Sequence, residues 1–458
     1  MKADSLVQLD RDHLIHPVVN YRTHEQRGVA VLEEGRGAYL RDSNGHELLD
    51  AFSGLWCVNI GYGHDSVVRA AEEQMRKLPY ATGYFHFGSE PAIKLAAKLV
   101  ELTPASLQRV YFTLGGSDAV DSAIRFIVNY WNARGKSEKK QFITLERGYH
   151  GSSSQGAGLT ALPVFHRNFD LPLPNQHRIP SPYPYRNPVG SDPAAIIDAS
   201  VGALRAKVQE LGAERVAAFF CEAVQGSGGV IVPPKGWLKA MQECCRELGI
   251  LFVVDEVITG FGRTGPMFAC EPEGVTPDLM TVAKGLTAGY APMGAVLMSE
   301  EIYQGIAEGG GEFPIGHGHT YSAHPVSAAV ALEVLRLYQE GGLLQNGINQ
   351  TPRFEEGLKS MLNHPLVGNA RNRGLLGALE LVADKENKTR FDPELKLADR
   401  IFETAYNNGI ILRAFADNVL GFAPALCYSG MDFDLLFERL EATLDAVLDQ
   451  PDVRRALI

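Results

Sequence analysis

The stretch Leu251–Gly265, LFVVDEVITGFGRTG, with its continuation Pro277–Gly285, PDLMTVAKG, decides the fold. Ile250–Val254 is short, apolar and rich in β-branched and aromatic residues, and acids follow it at once. That pattern reads as a buried strand. Asp255 and Glu256 stand where the strand leaves the core. A second apolar run, Leu279–Ala283, ends at Lys284-Gly285. An acid and an amine are thus delivered to the ends of two buried strands, and in open α/β sheets ligands bind outside the carboxyl ends of strands.

The segment resembles the fold-type I pyridoxal-phosphate enzymes, specifically the class III aminotransferases. The matching residues are Asp255-Glu256-Val257, Gly260-Phe261-Gly262-Arg263-Thr264-Gly265, Pro277-Asp278 and Ala283-Lys284-Gly285. The resemblance implies that Lys284 carries pyridoxal 5'-phosphate as a Schiff base, that Asp255 bonds the pyridine nitrogen, and that Val257 packs against the ring. The residue types suit that chemistry. Capture of an aldehyde needs an amine that is unprotonated part of the time, as a desolvated lysine is. The cofactor acts as an electron sink only while its ring nitrogen keeps a proton, which a buried carboxylate secures. Gly260–Gly265 also matches GxGxxG, but a dinucleotide fingerprint places its first glycine at the strand end, opening a helix. Here Asp255–Thr259 intervene and no clean amphipathic helix follows.

Three more strands lead to candidate residues. Val216–Cys221 ends at Glu222, ahead of Gln225-Gly226-Ser227-Gly228-Gly229. The family has Glu-Pro where this chain has Glu222-Ala223. Glu222 reads either as a site residue, near the ring hydroxyl or Asp255, or as a buried acid held by the glycine turn. Gln141–Leu145 precedes Tyr149-His150-Gly151, the family's YHG, which implies that Tyr149 stacks on the cofactor ring. His150 reads either as a partner supporting a site residue from behind or as a satisfied structural histidine. Val110–Thr113 runs into Gly115-Gly116-Ser117-Asp118 and a helix with Ile124, Ile127, Val128 and Trp131 on one face. Strand, glycine turn and helix form an anion cradle, so Gly116 and Ser117 are assigned to the phosphate. The family's usual Ser-Gly-Ser/Thr turn has one more hydroxyl.

Outside these strands, Gly54–Asn59 (GLWCVN) is similar to ω-amine:pyruvate aminotransferases, in which the tryptophan lines the substrate pocket. Trp56 and Phe85 are assigned to that wall, with Tyr84 a weaker candidate. His319–Pro325 (HTYSAHP) resembles the family's HTYSGHP, in which the threonine reaches the phosphate of the neighbouring subunit. That implies a homodimer or dimer of dimers completed by Thr320. Ala323 replaces the usual glycine. His317, His319 and His324 have no carboxylate or cysteine grouped with them, so no metal site is read there. Arg413, after Ile410-Ile411-Leu412, resembles the family's mobile arginine, and its planar fork suits a substrate carboxylate.

The composition agrees with a soluble enzyme. The 458 residues are 45% hydrophobic and 21% charged, with a formal net charge of −11. That balance opposes a nucleic-acid or anionic-membrane surface. No apolar run reaches membrane-spanning length, the N-terminus has no apolar signal core, and the six cysteines form no CxxC pair. The expectation is a reduced, cytoplasmic protein. The expected fold is α/β, a fold-type I transferase. Its large domain (66–330) has a mixed, mostly parallel sheet flanked by helices, and its smaller α/β domain is built from both chain ends, 1–65 and 331–458. The expected function is transfer of an amino group from an ω-amine or ω-amino acid to pyruvate or another keto acid by a ping-pong mechanism. A decarboxylase, an aminomutase or a 2-oxoglutarate-linked diamine aminotransferase on the same cofactor are the alternatives.

Overall fold

The structure, a computed structural model, describes residues 3–458. Seven strands build the central sheet: β1 (Leu107–Thr113), β2 (Gln141–Leu145), β3 (Gln176–Ile179), β4 (Val216–Glu222), β5 (Leu251–Asp255), β6 (Leu279–Val282) and β7 (Gly294–Ser299). Their order is β1-β7-β6-β5-β4-β2-β3. β7 runs antiparallel to both its neighbours, while β3, β2, β4, β5 and β6 pair in parallel.

The uninterrupted apolar runs follow from burial on both faces. In β4, Phe219 and Cys221 enter one core and Ala218 and Phe220 the other. In β5, Phe252 and Val254 take the first side, and Leu251 and Val253 the second. The first core is closed by helices Pro193–Leu211, Trp237–Leu248 and Pro325–Gln339. The second is closed by α1 (Gly116–Ala133), through Ala119, Val120, Ala123 and Ile127. Asp192 caps Pro193–Leu211 by accepting from the Ala195 N–H at 2.8 Å.

The smaller part joins both chain ends. Strands Leu32–Arg36, Tyr39–Asp42 and Glu47–Asp50 are extended by Ile410–Ile411, which lies parallel to Glu47–Asp50 with Ile410 beside Leu49. After Leu412 the chain enters a second sheet, where Arg413–Ala414 pairs with Val419–Phe422, and that strand pairs with Leu376–Leu381.

The sequence alone reads residues 1–60 as an irregular arm with short strands, the proline-rich Leu171–Asn187 as a loop and Phe354–Leu362 as a helix, and the structure differs in all three. Residues read as an irregular arm hold two short helices, Ala3–His13 and Tyr21–Arg27. Both are mostly exposed, so they carry little of the apolar periodicity by which a helix is read. The proline-rich segment read as a loop contains β3, an edge strand whose polar Gln-His-Arg sequence needs only one partner. The helix expected to begin at Phe354 spans Leu343–Ser360 and runs through Pro352, where a helix is ordinarily broken.

Phe219 is fully buried at the centre of the sheet, whereas Phe169 is 70% exposed. Phe219→Ala is expected to destabilise the fold by about 3–5 kcal/mol, and Phe169→Ala by less than about 0.5 kcal/mol. Paired urea titrations monitored by tryptophan fluorescence check the difference.

Candidate active site

Five strand ends meet on one edge of the sheet. β4 and β5 are in register, so Glu222 is the neighbour of Asp255, and Asp255 is in turn the neighbour of Thr281 on β6. Lys284 follows β6 with φ +40°, a left-handed conformation that lysine adopts only under constraint. Asp255, Glu222 and Lys284 are close enough to influence one another's ionisation.

Asp255 is buried and its carboxylate is held from two sides. Its Oδ2 lies 2.9 Å from His150 Nδ1, and its Oδ1 accepts the Val257 N–H at 3.1 Å. The other nitrogen of His150, Nε2, is 3.0 Å from Thr144 Oγ1 on β2. Burial opposes the charged imidazolium, yet the bond to Asp255, that carboxylate's charge and Glu222 together hold the His150 pKa above its usual value. His150 is therefore the direct partner of Asp255.

Burial lowers the pKa of Lys284, against the opposing influence of Cys57, Asp255 and Glu222. Its Nζ sits 5.3 Å from the ring centre of Trp56. Glu222 accepts the Tyr149 N–H at Oε1 and the Gly226 N–H at Oε2, both at 2.9 Å. Glu222 is thus tied to the glycine turn and stands beside Asp255. Burial, opposed by His150 and reinforced by Asp255, pushes its pKa up to about 7.

α1 begins at Gly116 without a side-chain cap, because its N-cap residue is Gly115. The first N–H groups of a helix have no intrahelical acceptor, and the helix dipole makes that end positive. A Cβ on Gly115 would meet nothing within 4 Å, so the space beside this N-cap residue is open. A Cβ on Gly116 would stand 2.9 Å from Val257 Cγ1, so glycine is what allows α1 and Val257 to approach. Ser117 Oγ accepts the Ser152 N–H at 3.1 Å. Tyr149 is half-buried, its ring edge-on to Phe165 at 5.2 Å.

The substrate-side residues divide into two groups. Trp56 is buried, with Phe52 at 4.6 Å and Phe415 stacked at 6.2 Å. The guanidinium of Arg413 lies 5.3 Å from the Phe415 ring, and no carboxylate among the described residues perturbs it. Phe85 and Thr320 lie apart from these contacts, on the surface, and Arg413 too is exposed. Phe85 is 81% exposed beside Tyr84, and the exposed Thr320 is tied through its carbonyl to Tyr80 OH at 2.8 Å. Ala323, where the family has glycine, takes φ +60° in the turn after Thr320.

Two supports were not singled out in the sequence. Asp50, buried, accepts the N–H groups of Phe52 (3.0 Å) and Gly54 (2.7 Å) and the Tyr62 hydroxyl (2.7 Å). It thereby fixes a loop in which Ser53, Gly54 and Trp56 all have positive φ. Arg263 is fully buried within the GxGxxG stretch and donates to Pro424 O (2.5 Å) and Asn59 Oδ1 (2.7 Å). Those glycines wrap an arginine in a chain of turns, and no helix opens there.

The site thus combines an open helix N-terminus, a buried carboxylate–imidazole pair and a deprotonation-prone lysine on a fold-type I scaffold. These fit a phosphorylated heterocyclic aldehyde, and the class they define is that of pyridoxal-phosphate-dependent enzymes. Comparison with known proteins narrows it: residues 21–444 match the model of the class-III aminotransferases, and the chain belongs to that family. It is 39% identical to putrescine–pyruvate aminotransferase of Pseudomonas aeruginosa over 439 residues, 95% of each chain. It is 35% identical to diaminobutyrate–2-oxoglutarate transaminase of Halomonas elongata, over 97% of this chain and 96% of that one. Among solved structures it superposes with a TM-score of 0.95 on an (S)-enantioselective omega-transaminase from Thermomicrobium roseum, 37% identical, covering 98% of this chain and 100% of that one. The omega-transaminase of Pseudomonas jessenii in complex with PMP gives the same score at 36% identity, covering 98% of this chain and 99% of that one. The protein is a transaminase that uses pyridoxal phosphate.

The raised pKa of Glu222 carries a sign. Between the unperturbed value of 4.5 and about 7 the folded state holds a proton that the unfolded state has lost. Stability from this group is therefore present below that range and declines as pH rises through it. Glu222→Gln removes the dependence. The variant's melting temperature relative to wild type is expected to be higher at pH 7.5 than at pH 5.0, as read by differential scanning fluorimetry at both values.

Proposed function

We propose that this class III aminotransferase moves the amino group of an ω-amine or ω-amino acid to pyruvate, both partners using one pocket in turn, as a ping-pong cycle requires. The supporting observation is a continuous line of contacts: Lys284 against Trp56, Trp56 stacked on Phe415, and Phe415 beneath Arg413. An apolar wall ending in an arginine without a carboxylate partner suits both acceptor and donor. The carboxylate of a keto acid pairs with the guanidinium, and an uncharged donor lies against the aromatic rings. Similarity to a putrescine–pyruvate aminotransferase and to omega-transaminases supports the same pairing.

In this reading Lys284 holds the cofactor, and its Nζ takes up and returns the proton of the donor carbon as general acid and base. Burial lowers its pKa, which raises the share of the basic form over that of a solvated lysine. Asp255, steadied by His150, faces the ring nitrogen, with Glu222 beside it. Tyr149 and Val257 cover the ring, and Gly116 and Ser117 receive the phosphate. When bound, the group supplies an electron sink for the donor carbon. Thr320 and Phe85, exposed on this chain, serve the site of a second copy, in a homodimer or dimer of dimers.

Two measurements test the proposal. Borohydride treatment of the holoenzyme should bleach the visible band and leave the cofactor on the peptide containing Lys284, and Lys284→Ala should show neither the band nor the adduct. Arg413→Ala should lose charge-assisted bonds of about 1.5–3 kcal/mol toward pyruvate. At about 1.4 kcal/mol per tenfold that is a drop of roughly 10- to 150-fold in kcat/KM, with the 1-phenylethylamine half-reaction nearly unchanged. Equal losses in both half-reactions refute the role of Arg413. Release of carbon dioxide, or an isomerised amine in place of alanine, would instead identify a decarboxylase or an aminomutase.

A further inference from the structure

The N-terminal arm inverts the ordinary pattern of burial. Its large apolar side chains Leu14, Ile15 and Val18 face outward, 59%, 77% and 62% exposed. Beside the partly buried Leu6 and Val7, the side chains turned inward are Asp10, His16 and His24, only 10%, 24% and 16% exposed. In a segment held by hydrophobic packing the reverse is expected. Here polar groups organise the arm.

Those three residues come from three separate places: Asp10 from helix Ala3–His13, His16 from the connecting segment, and His24 from helix Tyr21–Arg27. Both imidazoles aim Nε2 at the same carboxylate. His16 Nε2 lies 2.6 Å from Asp10 Oδ1 and His24 Nε2 2.9 Å from Oδ2. The two rings are 4.4 Å apart, and the three ligand atoms all fall within 4.8 Å of one another. The sequence spacing suggests a different pair, His13-x-x-His16, but His13 is exposed and the fold selects His24 instead.

We propose that Asp10, His16 and His24 form a site for a divalent transition metal of the zinc class, separate from the cofactor site. Zinc sits about 2.0–2.2 Å from imidazole nitrogen and carboxylate oxygen. Tetrahedral donors at that radius lie roughly 3.3–3.5 Å apart, a spacing these atoms reach by shifts of about an ångström or less. The ion takes the place of the two Nε2 protons, each imidazole then keeping its proton on Nδ1. Two imidazoles and one carboxylate select zinc, cobalt, nickel or iron over magnesium and calcium, which prefer all-oxygen sets. Three protein ligands leave a fourth position for water, and the ion fastens Tyr21–Arg27 to Ala3–His13.

Untagged holoenzyme, stripped with chelator and dialysed, is titrated with Co2+ alone. The expected result is one ion per chain by elemental analysis, with intense visible d–d bands of a tetrahedral centre read as a difference spectrum. His24→Ala and Asp10→Asn should each weaken cobalt binding at least tenfold, and His13→Ala should bind as wild type. Zinc should raise the melting temperature of wild type and of His13→Ala but not of His24→Ala. The retained cofactor band in each variant shows that the fold is intact. Wild-type protein that takes up no cobalt overturns the proposal. So does cobalt bound with wild-type affinity by both His24→Ala and Asp10→Asn, and in either case the three residues form a hydrogen-bonded clasp without a metal.

Discussion

A carboxylate removed from water must be compensated where it stands, and Asp255 is the group that imposes this demand here. It is 4% exposed. An isolated buried charge of this kind reverts to its neutral form unless partners hold it ionised. The partners are His150, fixed in turn by Thr144, and the Val257 N–H. Thr144 lies in β2 and His150 soon after it, while Asp255 ends β5 and Val257 follows, so these contacts depend on β2 and β5 ending at the same level. The parallel register of the sheet is what meets that condition.

The neighbouring charges follow from the same constraint. Glu222 lies beside Asp255, and two carboxylates so close do not both ionise readily. Burial and this repulsion leave Glu222 poised to be neutral, while Asp255 keeps the imidazole. Glu222 thus departs from a solvated carboxylate through burial and its acidic neighbour, although two backbone N–H groups hold it. Lys284 is then lowered by burial more than it is raised by its acidic neighbours. Such a cluster is costly to fold. The cost is offset by the two-sided apolar packing of the strands that carry it, which explains why the chemistry sits at the ends of the most hydrophobic segments of the chain.

Much of this was legible in the sequence because it is local. Ile250–Val254 followed by Asp255, and Leu279–Ala283 followed by Lys284, place chemistry at strand ends by pattern alone. The glycine turn before α1 is equally local. What escaped is carried by partners far apart in the chain. His150 and Asp255 are separated by 105 positions, and Arg263 meets Asn59 across 204. No periodicity reports such pairings, so His150 stayed open between a supporting partner and a structural histidine, and Arg263 read as part of a glycine motif. Asp50 is equally silent in the sequence, because its three donors become neighbours only once the Trp56 loop has folded back on it. The strand β3 was hidden for another reason. An edge position tolerates polar residues, so alternation gave no signal.

Backbone strain marks the same region independently of the charges. Ser53, Trp56, Arg147, Phe261 and Lys284 all take positive φ without being glycine. Each such residue costs on the order of 1–3 kcal/mol and persists only where its surroundings overdetermine it. The surroundings are identifiable in each case. Asp50 fixes the loop of Ser53 and Trp56, Gly228 O receives Arg147, and the Met267 carbonyl accepts the Phe261 N–H at 2.6 Å. Lys284 is set by the end of β6 on one side and by a single 3-10 turn on the other. Those at Asp50 and at Lys284 bear on one contact, Trp56 against the lysine Nζ. A substitution that relaxes one of them alters where Trp56 stands relative to Lys284 without touching either, and that distance separates an apolar wall suited to an amine from a wall that no longer meets it.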